Sequence, residues 1–460
     1  MLHLLQKIIG RYKHLFITMD ASADEYNRYA RQEHIHDLEL IFELVRSFRK
    51  SSESSCTDIL FMIEQMAVLD LFNANNHRYT SDRHYRCRYD ARDALVDAHV
   101  HDLSKESVMN EREFKNHYRM TRSSFLKLWH AIKDHPVFRS NKSTKKQASS
   151  KYQLLVLLKF LGTEGDGMSN HKAGAIFPSS YGSFDKMKDR VVYAIVDYLS
   201  DAYYWPDAME RKMISKEFQK EFYINQCVGV GDGTLLGLGM KPSREDFPDF
   251  NGRKGHYTIT CFIFCDHLKR IRYYHSGWPG NVHDERVYRT TKIAKKPADH
   301  FSKGEYLLCD SAVAARDTVV PQFKKNFNET DLDEEKAQFN TICALPRVIV
   351  EHCIGLWKNR FPFLRNIRMR ITDDPKTMTR IQRYIRVTVI LHNLLIGYAD
   401  GDVEDDDSNK PNMRKDPRNE SLLVVPHDAS TPDKRDNRRI ELLNYLITRD
   451  AYLVVMSKKK

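Results

Sequence analysis

Apolar and polar positions along the chain change period near Ile224. Upstream, apolar residues recur at helical spacing; downstream they alternate or run together as strands do. Leu38, Ile41, Phe42, Val45 and Phe48 share one helical face, and residues 59–71 carry a second amphipathic pattern. Between 73 and 108 the charge is mixed, His, Arg and Asp are frequent and periodicity is weak, which predicts loop or partly disordered chain. From 112 to 220 the helical pattern returns. Residues 152–161 are nearly all apolar and predict a buried helix, broken by Gly162, Gly165 and Gly167. A short helix over 170–177, a turn at Pro178-Ser179-Ser180 and a longer helix over 184–199 trace the outline of a helix-turn-helix, for which a plain helical bundle is the simpler alternative.

Past Ile224, strands are predicted over 227–238, 257–264 and 271–276, the last two joined by the turn Asp266-His267-Leu268-Lys269. A helix follows over 283–293, a short buried strand over 306–309, a strong helix over 344–361 and a final one over 376–396. Three strands, helix, strand, helix is a mixed α/β order. Six acids and no base over 400–407 predict that the folded part ends there, leaving a polar tail with one helix candidate at 438–448.

With 460 residues the chain is long enough for two or three domains and a sizeable core. Hydrophobic residues at 41% and charged ones at 29% exclude collagen-like and wholly disordered readings. Lys7, Arg11, Lys13 and Asp20 interrupt any signal-peptide core, and no run approaches the ~20 uninterrupted apolar residues of a membrane span, so no membrane partner is expected. Lys and Arg number 73 against 62 Asp and Glu, a surplus of +11 that favours a polyanion as partner. The basic run Lys142-Ser-Thr-Lys-Lys146 fits phosphate contact or nuclear import, or simply a solvated loop. Eight scattered cysteines, with Cys261 and Cys265 nearest to a pair, predict buried reduced thiols rather than disulfides or structural zinc.

Three carboxylates stand out by position. Asp232 lies in Val228-Gly-Val-Gly-Asp-Gly-Thr234, where Asp-Gly between apolar residues is also a hairpin signal. Asp310 ends the strand Glu305-Tyr-Leu-Leu-Cys-Asp310, and open α/β sheets place ligands beyond strand carboxyl ends. Glu351 sits on a helix whose apolar stripe is Val350, Ile354, Trp357 and Phe361, with Arg347, Gly355 and Lys358 beside it on the other face. An Arg347–Glu351 surface pair would be worth a few tenths of a kcal/mol. Yet Glu351 is the one acid in 341–370, among Arg347, Lys358, Arg360, Arg365, Arg368 and Arg370, as suits a metal ligand beside a phosphate backbone.

Gly231-Asp-Gly-Thr234, Gly252-Arg-Lys254, Gly277-Trp-Pro-Gly-Asn-Val-His-Asp284, Cys309-Asp-Ser311, Phe339-Asn340 and Arg347…Val350-Glu-His-Cys-Ile-Gly355…Lys358-Asn-Arg-Phe361 occur in one order. Together they resemble the DDE endonuclease domain of PIF/Harbinger-type transposases. The resemblance covers about 226–396, and extends more loosely upstream through Tyr118-Arg-Met120 and Leu158-Lys-Phe-Leu-Gly162 to Trp205-Pro206. It implies an RNase H-like fold and a catalytic, metal-holding triad of Asp232, Asp310 and Glu351, which removes the hairpin reading of Asp232. It also implies two Mg2+ or Mn2+ ions, since hard cations take carboxylate oxygens and a metal pair both activates water and stabilises the leaving 3′ oxygen. DNA cleavage, with transfer of the freed 3′-OH to target DNA, is the expected activity. Transposon ends and target DNA are then the expected partners, joined by a separately encoded Myb/SANT-like protein and further copies of the chain, in the nucleus.

His283 and Asp284 are second-tier candidates, with a supporting role favoured over metal contact. Arg253, Lys254, Arg347, Lys358 and Arg360 are candidate DNA-phosphate contacts, each also readable as a solvated charge. Cys309 and Val313 stand where the family commonly has glycine and an aromatic residue, which keeps open a domesticated, catalytically silent DNA-binding or chromatin-associated protein. The expected organisation is an accessory region over 1–110, a helical, helix-turn-helix-like region over 111–225, the nuclease domain over 226–396 and an acidic linker and tail over 397–460.

Overall fold

The computed structural model describes residues 85–100, 109–139, 147–252, 255–324, 332–400 and 437–448. The chain divides into two compact units, Met1–Cys87 and Arg88–Lys460, and the architecture below is that of the second. The helices predicted over 38–48 and 59–71 and the basic run 142–146 lie outside the described residues.

Helix α1 (Tyr85–Val100) stands where loop was expected. Its apolar pattern is thin, with Val96 and Val100 buried, and polar bonds do much of the fastening. Arg92 donates to the Pro178 carbonyl at 3.2 Å, and His99 shares a 2.7 Å hydrogen bond with the Tyr118 hydroxyl. Next come α2 (Glu111–Tyr118), opened by a reciprocal Asn110/Glu113 cap, and α3 (Arg122–Ile132), capped by Thr121. Helix α4 (Ser150–Leu161) is apolar nearly all round, and Leu154 through Leu158 are buried without interruption. Helices α5 (Asn170–Ile176) and α6 (Tyr181–Tyr198) flank the Pro178-Ser179-Ser180 turn as their spacing predicts. Phe184, Met187, Val191, Val192, Ala194 and Ile195 commit one side of α6 to the core. Asp207 caps α7 (Ala208–Phe222), which leads into the sheet.

Five strands pair in the order β3-β2-β1-β4-β5. They are β1 (Cys227–Gly237), β2 (Thr258–Cys265), β3 (Ile271–Pro279), β4 (Tyr306–Cys309) and β5 (Val319–Pro321). The first three are antiparallel, while β4 lies parallel to β1 and β5 parallel to β4. Short helices α8 (Asp284–Thr290) and α9 (Lys292–Lys295) cover one face over a small core of Val228, Phe262, Phe264, Val287, Tyr288, Leu307 and Cys309.

The other face carries the main core. There α10 (Glu334–Arg360) packs along β1, and α11 (Pro375–Gly397) packs on β3 and α6. Helix α10 begins ten residues before its predicted start at 344, because Pro346, a stop signal in sequence, is accommodated inside it. It is long and apolar enough to cross a membrane by length and composition, but it carries Arg347 and Glu351 mid-helix and lies against the sheet. The tail helix α12 (Asn437–Thr448) buries Leu442, Leu443 and Leu446 against α10 and β5, so the fold does not end at the acidic segment. Asp400 is buried too, accepting from the Thr121 backbone N–H at 2.9 Å. One continuous core joins Phe114 of α2 to Leu446 of α12, so the change of period near 225 is a change of secondary structure within that core.

Candidate active site

Which way Asp232 faces is decided five residues upstream. The β1–β4 register slips between Cys227 and Gly229. Val228 belongs to the small core and Gly229 also lies against Leu307 of that core, while Val230 belongs to the main core. Two consecutive positions on one face reset the alternation, so Asp232 projects toward α10 with Val230 and Leu236.

The glycines on either side serve close approach, not a turn. Asp232 pairs with Ile263 in mid-strand, so the hairpin reading fails. A Cβ on Gly231 would meet the Phe264 ring at 2.2 Å, and one on Gly233 would meet the Asp284 carboxylate at 2.3 Å.

Asp310 follows β4, whose Cys309 pairs with Gly231, so Asp310 leaves its strand beside Asp232 of the neighbouring parallel strand. Cys309 and Val313 are buried in the small core; the two departures from the family pattern are core residues, and Asp310 projects to the opposite face. Glu351 is on α10, with 58% of its side chain exposed. Arg347, one turn earlier, connects the group. Its guanidinium is 3.7 Å from Asp310 and 3.9 Å from Glu351, and it donates to the Gln322 side-chain Oε1 at 2.8 Å. Burial pushes the Asp232 carboxyl up to about 6, and the negative charges of Asp310 and Asp284 add to this. Arg347 and the Gly233 N–H, which donates to Asp232 at 2.8 Å, act the other way. One cation thus acts on all three carboxylates.

The second-tier pair lies on the far face. Asp284 packs against Gly233 directly behind Asp232, and His283 is exposed at the start of α8. Their neighbour Glu285, which sequence reasoning passed over, accepts the Ala314 N–H at 2.8 Å and pairs with Arg316. It therefore holds the loop that follows Asp310. From the sequence, only its place in the His-Asp-Glu run hinted at this.

The phosphate-contact candidates separate. Lys358 donates to Thr234 Oγ1 at 2.6 Å and to the Leu235 carbonyl at 2.8 Å, pinning α10 to β1 just beyond Asp232. Arg347 faces the carboxylates. Arg360 is corrected: it is 4% exposed and donates to the Asp400 carbonyl at 2.9 Å, because its position falls on the core side of α10 with Cys353 and Trp357. Arg253 and Lys254 lie outside the described residues. The six free cysteines among the described residues are all buried.

Among the described residues, no three His, Cys, Asp or Glu side chains are gathered into a closed ligand set. The donor chemistry nevertheless suits a hard divalent cation: three carboxylates face one side of the sheet, and the burial that raises Asp232, with the Asp310 and Asp284 charges adding to it, makes its negative charge costly in a way a cation relieves.

Residues 231–393 match the family described as DDE superfamily endonuclease. Over 244 residues, 53% of this chain and 67% of the relative, the chain is 21% identical to "Putative nuclease HARBI1" of Mus musculus. The proteins of that name from Bos taurus and Homo sapiens are 22% and 21% identical over the same length. No solved structure matches the chain. Motif order and family match agree: this chain carries a DDE superfamily endonuclease domain over residues 231–393.

Proposed function

We propose that this protein is a divalent-metal-dependent DNA endonuclease of the transposase-derived, Harbinger type. The observation that carries the reading is the placing of Asp232, Asp310 and Glu351 on one face of the sheet, with Arg347 acting on all three. The strand order 3-2-1-4-5, antiparallel in its first three strands and parallel beyond, supports an RNase H-like core. Relatives named as nucleases support the substrate class.

Asp232, Asp310 and Glu351 would hold Mg2+ or Mn2+, two ions in the reading proposed. A bound pair supplies an activated water and charge stabilisation of the leaving 3′ oxygen. The remaining work falls to the chain. Arg347 balances the carboxylates and is in place to meet a phosphate entering between Asp310 and Glu351. Lys358 fixes α10 at a set height on β1, so Glu351 keeps its distance from Asp232. Glu285 steadies the loop after Asp310 from behind. Transfer of the 3′-OH to target DNA, recruitment by a Myb/SANT-like partner, self-association and a nuclear location belong to the same proposal. So does a DNA-binding role for α5–α6.

Supercoiled plasmid and DNA carrying the chain's own flanking sequence, with Mg2+ or Mn2+ and the recruiting protein present, provide the test. Wild type nicks or cuts, and Asp310→Asn loses cutting by at least 10²-fold while binding DNA as before. His283→Ala loses only part of the activity. If wild type cuts no faster than Asp310→Asn, the protein is a silent DNA-binding one.

A further inference from the structure

Beyond Gly237 the first strand does not stop abruptly. Leu238 and Ser243 form parallel bridges with Ile367 and Thr372, held by Gly239 N–H to Ile367 O at 2.9 Å and Ser243 N–H to Ile371 O at 2.8 Å. Residues 366–372 therefore run extended beside 238–243, and extended chain alternates its side chains. Ile367 and Ile371 are buried while Arg368 and Arg370 are exposed. Between the two segments lies an open groove of about 800 Å³, bordered by Lys241, Arg244, Arg368 and Arg370 against Glu245 and Asp373. The Lys241 ammonium sits 3.7 Å over the Phe247 ring, and Asp246 orients Arg244 through bonds of 2.7 and 2.8 Å.

We propose that this groove is a second phosphate-binding site, taking the backbone of a DNA duplex whose scissile phosphate lies at the three carboxylates. The inference rests on the nuclease reading and adds the path of the substrate. Helix α10 and β1 run side by side: Arg347 acts at Asp232, Lys358 bonds Thr234 and Leu235, and Ile367 bonds Gly237. Cations in chain order thus lead from the carboxylates to the groove. At ~3.3 Å per residue, the chain from Asp232 to Gly239 spans on the order of 20 Å, about six steps of a DNA strand at 3.4 Å each. Arg368 and Arg370 stand about 7 Å apart along extended chain, roughly two such steps. A compact anion would need convergent donors, whereas a row at this pitch, open along its length, suits a polyanionic strand.

Binding of fluorescent duplexes of about 4 base pairs (closed by a hairpin loop, about 10 Å of helix) and about 30 base pairs by the full chain, without divalent metal and over a salt series, tests this. The variants are Arg368→Gln/Arg370→Gln and Lys212→Gln/Lys216→Gln, the latter removing two exposed charges from α7. All four side chains are exposed, so matching melting curves are expected and serve as the folding check. The groove variant should bind the long duplex at least tenfold more weakly than wild type at about 50 mM salt. Its log–log salt slope should fall by about 2, at about 0.9 per lost phosphate contact. On the short duplex, which reaches only one of the two sites, its deficit should be under threefold, and the α7 variant should match wild type on both. Equal losses from the two variants mean net charge alone acts and overturn the groove while leaving the nuclease reading standing. A preference of the groove for RNA duplex of the same length also overturns it. A wild-type protein that binds no duplex at either length, alone or with its recruiting protein, takes the nuclease reading down with it.

Discussion

Asp232 is held where its charge is costly: buried, with Asp310 and Asp284 as like-charged neighbours and only Arg347 and one N–H in opposition. Its carboxyl is pushed up to about 6 in the folded chain, against about 3.9 when unfolded. The folded state therefore holds the proton more tightly, and the cost of ionisation is absent below about pH 4, grows between 4 and 6 and is complete above 6. Asp232→Asn should raise stability at pH 7.5 by on the order of 2 kcal/mol in urea melts and leave it unchanged near pH 4. Equal differences at both pH values would contradict the electrostatic account. Mg2+ should raise the wild-type midpoint at pH 7.5 and leave that of Asp232→Asn nearly still. At this scale the three carboxylates were legible because each follows an apolar run in the sequence or faces off an apolar stripe. What surrounds them was not. Asp-Gly reads as a turn unless one knows that Asp284 packs on Gly233. Arg360 reads as a surface cation, since pattern alone does not reveal that Asp400 returns to cover it.

Elements brace the site more than they form it. Helix α8 meets β1 through Asp284 and the loop after Asp310 through Glu285. Glu285→Gln loses the ion pair with Arg316, whose partners are both about a quarter exposed, so stability should fall by no more than ~1 kcal/mol. Under the proposed function, in which Asp310 must be held still, cleavage should fall about tenfold in steady-state assays. A stability loss without an activity loss would reduce α8 to packing. Helix α12 makes a separate prediction. Leu446 is 2% exposed, so Leu446→Ala should cost about 2–4 kcal/mol in chemical denaturation. A change under 0.5 kcal/mol would place α12 outside the cooperative fold. The elements that sequence pattern missed share a cause, which is weak or contradictory local signal. Helix α1 has few apolar positions, β5 is three residues long, and Pro346 hides the first turns of α10. Long periodic segments such as α4 and α11 carried no such conflict and were legible.

Across the whole molecule, one core binds the helical region to the sheet, and the pairing order of the strands was not legible in periodicity, because β1 pairs with β4 across some seventy intervening residues. The surplus of +11 gave the kind of partner but not its path, because Arg368 and Lys241 meet only once residues 366–372 lie beside β1. The two helices either side of the 178–180 turn were legible as well, and α6 turns its apolar side inward and ties Asp185 and Asp189 to Arg380 of α11. The central claim is that three carboxylates far apart in sequence act as one metal-dependent cutting site. Cleavage rates of Asp232→Asn, Asp310→Asn, Glu351→Gln and the triple variant, measured with Mg2+ and with Mn2+ on one DNA substrate, test it most directly. Groups that act as a unit are strongly non-additive, so each single variant should lose at least 10²-fold and the triple no more than the worst single. Losses that multiply from one variant to the next, or a single variant that cuts as wild type does, would contradict the account.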